Sequence, residues 1–502
     1  MKKIAVIGAG VAGLASAIRL QHEGYEVEIY EKEAIPGGKM HQIKKDGYTF
    51  DLGPSIVMMP QIYREVFELA GRNPDDYIPM KRLDPMYTAF FGTEEKDRFN
   101  VSSDLVTLME SLEGISDEDA KGFLNYLQDI YSRFIVAKDH FLQRPFRNAL
   151  DFYNPFMIKQ ALKLKTFDSA NHSIGKFVKD KRLQQMLSFQ TLYIGVSPVN
   201  GPSLYTIIPM IELLYGVWFI EGGMYTMAKS MERLFLELGG KVHYNSPVEK
   251  ILIEDKQAYG ILLRDKEILA DYVVCNADFP YAIKNLVQDT VAKGKYTDKK
   301  VDSMKYSCSC FIMYLGMDRK YEGVDQLHNF VFAEDLDKNL EDIFAGKLLD
   351  NPSYYLYMGS KMDQSMAPEG KDGLYLLVPV SDLSIADYEW TEETIQHYRS
   401  EVLNSLKRLK GFENVENEIL SESYMTPIDF KEKFNAYNGA CFGLRPNLLQ
   451  SNHFRPQAKA KNCENLYFAG SSTHPGAGVP IVLMSAKIAT EELILDDRGV
   501  KA

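Results

Sequence analysis

The chain of 502 residues is long enough for two or three domains and a large core. Its 45% apolar and 25% charged residues are those of a globular protein, and 57 basic against 69 acidic residues leave a net charge of −12, which argues against a general nucleic-acid binder while leaving room for a local basic patch facing a membrane. Five cysteines (Cys275, Cys308, Cys310, Cys441 and Cys463) and nine scattered histidines show no zinc-like spacing, so no metal is expected and the thiols read as reduced in a cytoplasmic protein.

The apolar run Ile4-Ala5-Val6-Ile7 predicts a first strand. Gly8-Ala9-Gly10-Val11-Ala12-Gly13 follows at once and opens a helix with Leu14, Ala15, Ala17, Ile18 and Leu20. In such a turn the first glycine permits the bend, the second lets a pyrophosphate approach the backbone, and the third lets helix and strand pack closely. The helix N-terminus then offers free N–H groups to phosphates. A second strand, Glu26-Val27-Glu28-Ile29-Tyr30, runs into Glu31, an acid placed to accept hydrogen bonds from a ribose diol. With the fingerprint this close to the start, no signal peptide is expected. No run of about 18 apolar residues occurs, so no membrane-spanning helix is expected either. The longest candidate, 207–220, contains Glu212.

Pro36-Gly37-Gly38-Lys39 and the stretch 47–54 are turn-rich, and 60–71 reads as a short amphipathic helix. Residues 76–215 read as mostly helical and rich in aromatics. Within them Asn154 caps a helix opened by Pro155, with Met157, Ile158, Ala161, Leu162 and Leu164 on one side and Lys159 and Lys163 on another. Phe141, Leu142, Arg144, Phe146 and Arg147 lie upstream. The set reads equally as a basic amphipathic element lying in a membrane interface or as a helix packed on its own domain. Two short strands are expected around Ser246-Pro247 in 241–253, a strand-turn-strand over 257–269, and a buried strand over 270–275 ended by Asn276-Ala277-Asp278. Residues 286–415 alternate strands, such as 310–315 and 374–379, with helices such as 394–409. A last strand, 466–470, leads through a glycine-proline loop to a helix over 481–495.

This order predicts an α/β fold. A Rossmann-like nucleotide domain is assembled discontinuously from 1–75, 216–285 and 416–502. An α+β substrate domain, 76–215 and 286–415, is inserted, with a helical membrane-associated region near 136–167. The segment 186–225 is dense in Met186, Phe189, Tyr193, Tyr205, Met210, Tyr215, Trp218, Phe219, Met224 and Tyr225. Singly each reads as core; as a set they suit the wall of a tunnel for a linear hydrocarbon.

The fingerprint, Glu31, Gly37-Gly38-Lys39 and Phe50-Asp51-Leu52-Gly53-Pro54-Ser55 resemble the opening of FAD-dependent carotenoid desaturases. Asn465-Leu466-Tyr467-Phe468-Ala469-Gly470 and Thr473-His474-Pro475-Gly476-Ala477-Gly478-Val479-Pro480 are similar to that family's closing motif, which is far more specific than the glycine fingerprint. Ile56-Val57-Met58-Met59-Pro60, Gln190-Thr191-Leu192-Tyr193-Ile194-Gly195 and Gly201-Pro202-Ser203-Leu204-Tyr205 extend the resemblance, over essentially the whole chain, to the staphylococcal-type members acting on dehydrosqualene (4,4'-diapophytoene).

The resemblance implies bound FAD. Gly8, Ala9, Gly10, Val11, Ala12 and Gly13 would line the pyrophosphate, Glu31 with Lys32 beside it would meet the adenosine ribose, and Val248 the adenine. Gly38, Lys39 and Gly470 would lie toward the ribityl phosphate. Many family members carry arginine at the place of Lys39, so a point charge here replaces a bidentate fork. Gly53, Pro54, Ser55, Gly478, Val479 and Pro480 would approach the flavin. The implied reaction is hydride transfer from an allylic carbon to the flavin with loss of a neighbouring proton, giving diaponeurosporene-type polyenes. The implied partners are a long apolar isoprenoid, oxygen or quinone as electron acceptor, and the inner face of the cell membrane as a peripheral docking surface.

His474 is a candidate base, although a ring that bonds local backbone and shapes its loop is the preferred reading. Asp51, Glu212 and Asp278 are candidate carboxylates for the cation or the proton, each reading rather as a surface or structural acid. Rival readings are a phytoene desaturase acting on a forty-carbon chain and a non-catalytic prenyl carrier such as the Rab GDP-dissociation inhibitors. An amine oxidase or a carotenoid-oxygenating enzyme ranks lower. A carrier needs neither a complete phosphate turn nor a ribose acid, so Gly8, Gly10, Gly13 and Glu31 discriminate against it.

Overall fold

The computed structural model describes residues 1–92, 94, 97–164, 168–199, 201–324 and 326–500. A five-stranded parallel sheet runs in the order Lys241–His243, Glu26–Tyr30, Lys3–Ile7, Tyr272–Cys275, Leu466–Phe468. Its central strands are apolar on both faces, as a parallel sheet covered on two sides demands. Ile4, Val6, Val27, Ile29 and Val274 pack under the helices Val11–His22, Tyr225–Glu237 and Val479–Asp497, against Leu14, Ile18, Met231, Leu234 and Ile488. Ala5, Ile7, Val273 and Cys275 face the other way, onto Ile251 and Ile261 of a three-stranded antiparallel sheet (Lys250–Glu254, Gln257–Leu263, Lys266–Leu269). The three segments expected to build a nucleotide domain thus contribute neighbouring strands to one sheet.

A seven-stranded sheet forms the second layer, in the order Ile419–Met425, Ser309–Met317, Gly373–Val380, Tyr354–Tyr357, His328–Val331, Tyr87–Phe90, Arg98–Val101. Only the pairing of His328–Val331 with Tyr87–Phe90 is parallel. Period-two alternation sorts its side chains. Phe311, Met313, Leu315, Leu356, Leu376 and Val378 pack on the helices Leu336–Ala345 and Glu392–Leu406. Cys310, Ile312, Tyr314, Tyr355, Tyr357 and Tyr375 face the helical layer, where they join Phe134, Phe189, Met210 and Ile211.

One expectation is refined and one corrected. Residues 76–215 contain the strands Met80–Arg82, Tyr87–Phe90 and Arg98–Val101 among their helices. Tyr87–Phe90 is buried on both faces, so no alternation announces it; one partner, Arg98–Val101, is local and the other lies more than 200 positions away. A boundary at 416 also cuts Ile419–Met425 away from the sheet whose edge it forms beside Ser309–Met317.

The region near 136–167 is more tightly docked than its pattern implied, and residues 165–167 lie outside the described residues. Asn154 caps Pro155–Lys163, its Oδ1 accepting the Met157 N–H at 2.9 Å. Met157 and Leu164 are buried while Ile158 and Leu162 are exposed, so the apolar residues do not share one side. Phe141 and Phe146 belong to the core, and the Arg147 guanidinium is committed to Glu492. No helix among the described residues is long and apolar enough to cross a membrane.

Candidate active site

One cavity of about 570 Å³ runs between the two layers. Gly8, Gly10, Val11 and Ala12 wall one end, with Glu31, Lys32, Gly38, Lys39, Val248 and Gly470. Gly53, Pro54, Ser55, Gly478, Val479 and Pro480 line it as well. Ala9 and Gly13 stand behind the turn rather than on the wall. The Ala9 N–H donates to Glu31 Oε2 at 2.7 Å and its carbonyl accepts from Gly37 N–H at 2.9 Å. A Cβ on Gly13 would lie 2.0 Å from the Gly8 carbonyl oxygen, so helix and strand can approach this closely only with glycine there. A Cβ on Gly10 would lie 2.6 Å from Asn276 Oδ1. Asn276 is therefore part of the cradle: its Nδ2 donates to the Ala469 carbonyl at 2.8 Å and ties the glycine turn to the last strand.

Glu31 is buried, which pushes its carboxyl up, while N–H groups of Glu33 and Ala9 hold it down. Each oxygen accepts one backbone N–H, at 2.9 and 2.7 Å, leaving acceptor capacity for a diol facing the cavity. Lys32 and Lys39 are differently engaged. The Lys32 ammonium donates to the Glu432 carbonyl at 3.2 Å. That of Lys39 donates to the Cys441 carbonyl at 2.9 Å, so it braces the wall rather than standing free to meet a phosphate.

The segment 51–55 is held by a group of tyrosines from the seven-stranded sheet. Tyr357 donates to Asp51 Oδ2 at 3.1 Å, Tyr314 to the Leu52 carbonyl at 2.6 Å and Tyr375 to the Gly53 carbonyl at 2.9 Å; Tyr355 and Ser55 hydroxyls lie 2.8 Å apart. The rings pack edge to face, Tyr314 to Tyr375 at 5.6 Å and Tyr357 to Tyr375 at 5.9 Å. Asp51 is a buried structural acid, pushed up to about 6 by burial. The sequence hint to this group was the spacing of Tyr355 and Tyr357, which places both on one strand face; their targets are some 300 positions away.

At the C-terminal side Arg455 is fully buried without a carboxylate. Its guanidinium donates to the carbonyls of Thr473 (3.0 Å), Gln450 (3.1 Å), Leu444 (3.1 Å) and Ser471 (2.6 Å), and burial pulls it down to about 10. Asn276 and Arg455 both escaped the sequence reading, because backbone carbonyls leave no residue pattern. His474 is corrected as a catalytic candidate. Its ring lies off the cavity, packed edge-on to Phe146, with Nε2 2.9 Å from the Arg144 carbonyl, and burial lowers it to about 4. Its partner is 330 positions distant rather than local. Asp278 reaches the cavity, but Ser472 donates to one oxygen and the Tyr437 N–H to the other.

Beyond the turn the wall is apolar. Of the residues singled out in 186–225, Phe189, Tyr193 and Tyr205 line the cavity, joined by Ile207, Ile208, Ile211, Leu142 and Phe330. Met186, Met210 and Phe219 are core, and Met224 and Tyr225 pack in the nucleotide layer. Glu212 is no surface acid. It is 1% exposed, its Oε2 accepts from Gln190 Nε2 at 3.3 Å, and Oε1 has no partner among the described residues. Burial pushes its carboxyl up to about 8, against the pull of Gln190, Tyr193 and Tyr87.

A parallel sheet, a glycine turn and a buried acid at one end of a cavity, with an apolar wall at the other, define a dinucleotide-dependent oxidoreductase of greasy substrates. Comparison with known proteins makes this particular. The flavin containing amine oxidoreductase family matches residues 11–494. A 4,4'-diapophytoene desaturase (4,4'-diaponeurosporene-forming) of Staphylococcus haemolyticus is 44% identical over 98% of this chain and 99% of its own. An enzyme of the same description from Staphylococcus aureus strain Newman is also 44% identical, over 99% of this chain and 100% of its own. An oxidoreductase of Methanosarcina mazei shares the fold with a TM-score of 0.65, at 19% identity over 97% of this chain and 100% of that one. The chain belongs to the flavin-containing amine oxidoreductase family and, within it, to the 4,4'-diapophytoene desaturases. FAD is its cofactor, and the cradle fits it: the turn admits no Cβ at Gly10 or Gly13, and Glu31 keeps acceptor sites toward the cavity.

Gly10→Val is expected to abolish FAD retention, because the new side chain collides with Asn276 Oδ1 and displaces the turn; flavin absorbance of the purified protein reads this out, and a wild-type flavin content would remove Gly10 from the cradle. A second expectation concerns Glu212. Its carboxyl is raised in the folded state, so its contribution to stability is complete below about pH 4.5 and is lost as pH rises through about 8. Glu212→Gln should therefore gain stability relative to wild type on going from pH 6 to pH 9, measured by urea unfolding at both.

Proposed function

We infer that this protein is an FAD-dependent oxidoreductase that desaturates 4,4'-diapophytoene to 4,4'-diaponeurosporene-type polyenes in carotenoid synthesis. The observation that carries this reading is the continuity of one cavity, from the glycine turn and Glu31 to a wall of Phe189, Tyr193, Phe330 and isoleucines. Bound FAD supplies the two-electron acceptor for a hydride from an allylic carbon. The polyisoprene has no carbonyl, amine or hydroxyl to polarise, and the wall accordingly presents rings and aliphatic side chains. These residues align the chain and exclude water. Segment 51–55, clamped by tyrosines, and the loop braced by Arg455 both contribute to the cavity wall. A prenyl carrier of the same fold is disfavoured by the intact turn and ribose acid, although a RAB GDI of Plasmodium falciparum shares the architecture at a TM-score of 0.54 and 11% identity, over 100% of this chain and 99% of that one.

The substrate lives in bilayers, and the proposal includes peripheral docking at the inner face of the cell membrane, with oxygen or quinone as final acceptor. Support comes from Leu150, Tyr153, Phe156, Ile158 and Leu162, all exposed, beside Lys159 and Lys163. Leu142, a few residues upstream in the chain, lines the cavity.

Incubation of the protein and FAD with 4,4'-diapophytoene in liposomes should generate visible polyene absorption; substrate retained without conversion would favour the carrier. Leu162→Glu is expected to weaken sedimentation with anionic vesicles while leaving FAD content intact, and unchanged sedimentation would count against docking through this surface.

A further inference from the structure

Desaturation has two halves, and the cofactor accounts for one. After hydride leaves an allylic carbon, the neighbouring carbon must lose a proton before the double bond can form. In a wall of rings and aliphatic side chains that proton needs a protein acceptor. Most polar groups near the cavity are already committed. Lys39 is a cation bonded to a carbonyl, both oxygens of Asp278 have donors, Asp51 accepts from Tyr357 and backbone N–H groups, and Glu212 and His474 lie off the wall.

One chain of groups joins the wall to a buried base. Ser55 and Tyr355 both line the cavity, and their hydroxyls are 2.8 Å apart. The Tyr355 hydroxyl is in turn 2.6 Å from Nδ1 of His328. His328 is 1% exposed and stacks on Tyr355 and Tyr357, with ring centroids at 5.9 and 5.6 Å. Burial lowers its pKa to about 3, so the resting ring is neutral and one nitrogen keeps its lone pair. Nε2 has no partner among the described residues. With Nε2 carrying the ring proton, Nδ1 accepts from Tyr355, whose oxygen retains lone pairs toward Ser55 and the cavity. A buried imidazole with one unsatisfied nitrogen costs stability.

We propose that Ser55, Tyr355 and His328 form the relay that removes the proton lost from the substrate carbon. The inference rests on the desaturase reading above. As the C–H bond next to the allylic cation breaks, its electron pair becomes the π component of the new double bond. The proton goes to the Tyr355 oxygen while the phenolic proton passes to Nδ1 of His328, so the phenol stays neutral and the charge moves from substrate to imidazole. A carbocation is a far stronger acid than imidazolium, which makes the transfer downhill even into this apolar setting. Ser55 orients the phenol and is a positioning residue.

Tyr355→Phe keeps the ring stack and removes the hydroxyl; His328→Asn keeps an acceptor for Tyr355 but no base. Both are expected to retain FAD by absorbance and to lose desaturation by about 100-fold, within the usual contribution of a general base. Deuterium at the proton-losing carbon should give a larger isotope effect in both variants than in wild type, and deuterium at the hydride-losing carbon should not. In the protein without FAD, the ¹⁵N resonance of His328 Nδ1 should shift in Tyr355→Phe. Wild-type rates in either variant, or a loss of rate with no rise in the first isotope effect, would overturn the relay. Failure of the wild-type protein itself to desaturate would overturn the desaturase reading instead.

Discussion

The constraint on which the rest depends is the clamp on segment 51–55. This stretch leaves the nucleotide layer and crosses to the seven-stranded sheet, where hydroxyls of Tyr314, Tyr355, Tyr357 and Tyr375 meet four of its five residues. A buried backbone carbonyl without a partner costs about 1–3 kcal/mol, so Tyr314 and Tyr375 both satisfy the loop and fix where it runs. Asp51 adds a further tie, accepting from the Tyr225 N–H at the start of a helix of the nucleotide layer. The two layers are thereby registered to one another across the space that must hold both flavin and substrate.

The opposite wall is stabilised by different chemistry. Arg455 gathers carbonyls from three separate stretches of chain, and Asn276 joins the glycine turn to the last strand. Neither has a charged partner among these contacts, and both act by satisfying backbone groups in loops too irregular to satisfy themselves. Glycine-rich loops offer close approach but little intrinsic rigidity, and the buried guanidinium supplies order that the loop residues cannot.

The apolar half of the cavity explains how such a site handles a substrate without handles. Several polar side chains around it are linked to one another, as at Gln190 with Glu212 and at Ser55, Tyr355 and His328. Orientation then comes from shape. The exposed apolar residues around Leu150–Leu162 follow Leu142 of the wall closely in the chain, and no helix among the described residues is long and apolar enough to cross a membrane.

The nucleotide end of the site was legible in the chain because its requirements are local. Gly8, Gly10, Gly13 and Glu31 act within one βαβ unit, where turn geometry and a strand-end carboxylate are set by residues close in sequence. The cap of Asn154 and the strands around Ser246-Pro247 were legible for the same reason. The rest was decided by tertiary contact. Tyr87–Phe90, paired locally with Arg98–Val101, enters the large sheet along the edge of His328–Val331, Ile419–Met425 joined the substrate sheet across the expected boundary, and Arg147 became the partner of Glu492. His474, the most prominent candidate base in the sequence, packs away from the cavity, while His328, which no motif marks, stands behind its wall. A lone histidine, tyrosine or arginine carries no pattern of its own; what it does depends on which distant backbone or hydroxyl the fold brings within hydrogen-bond reach.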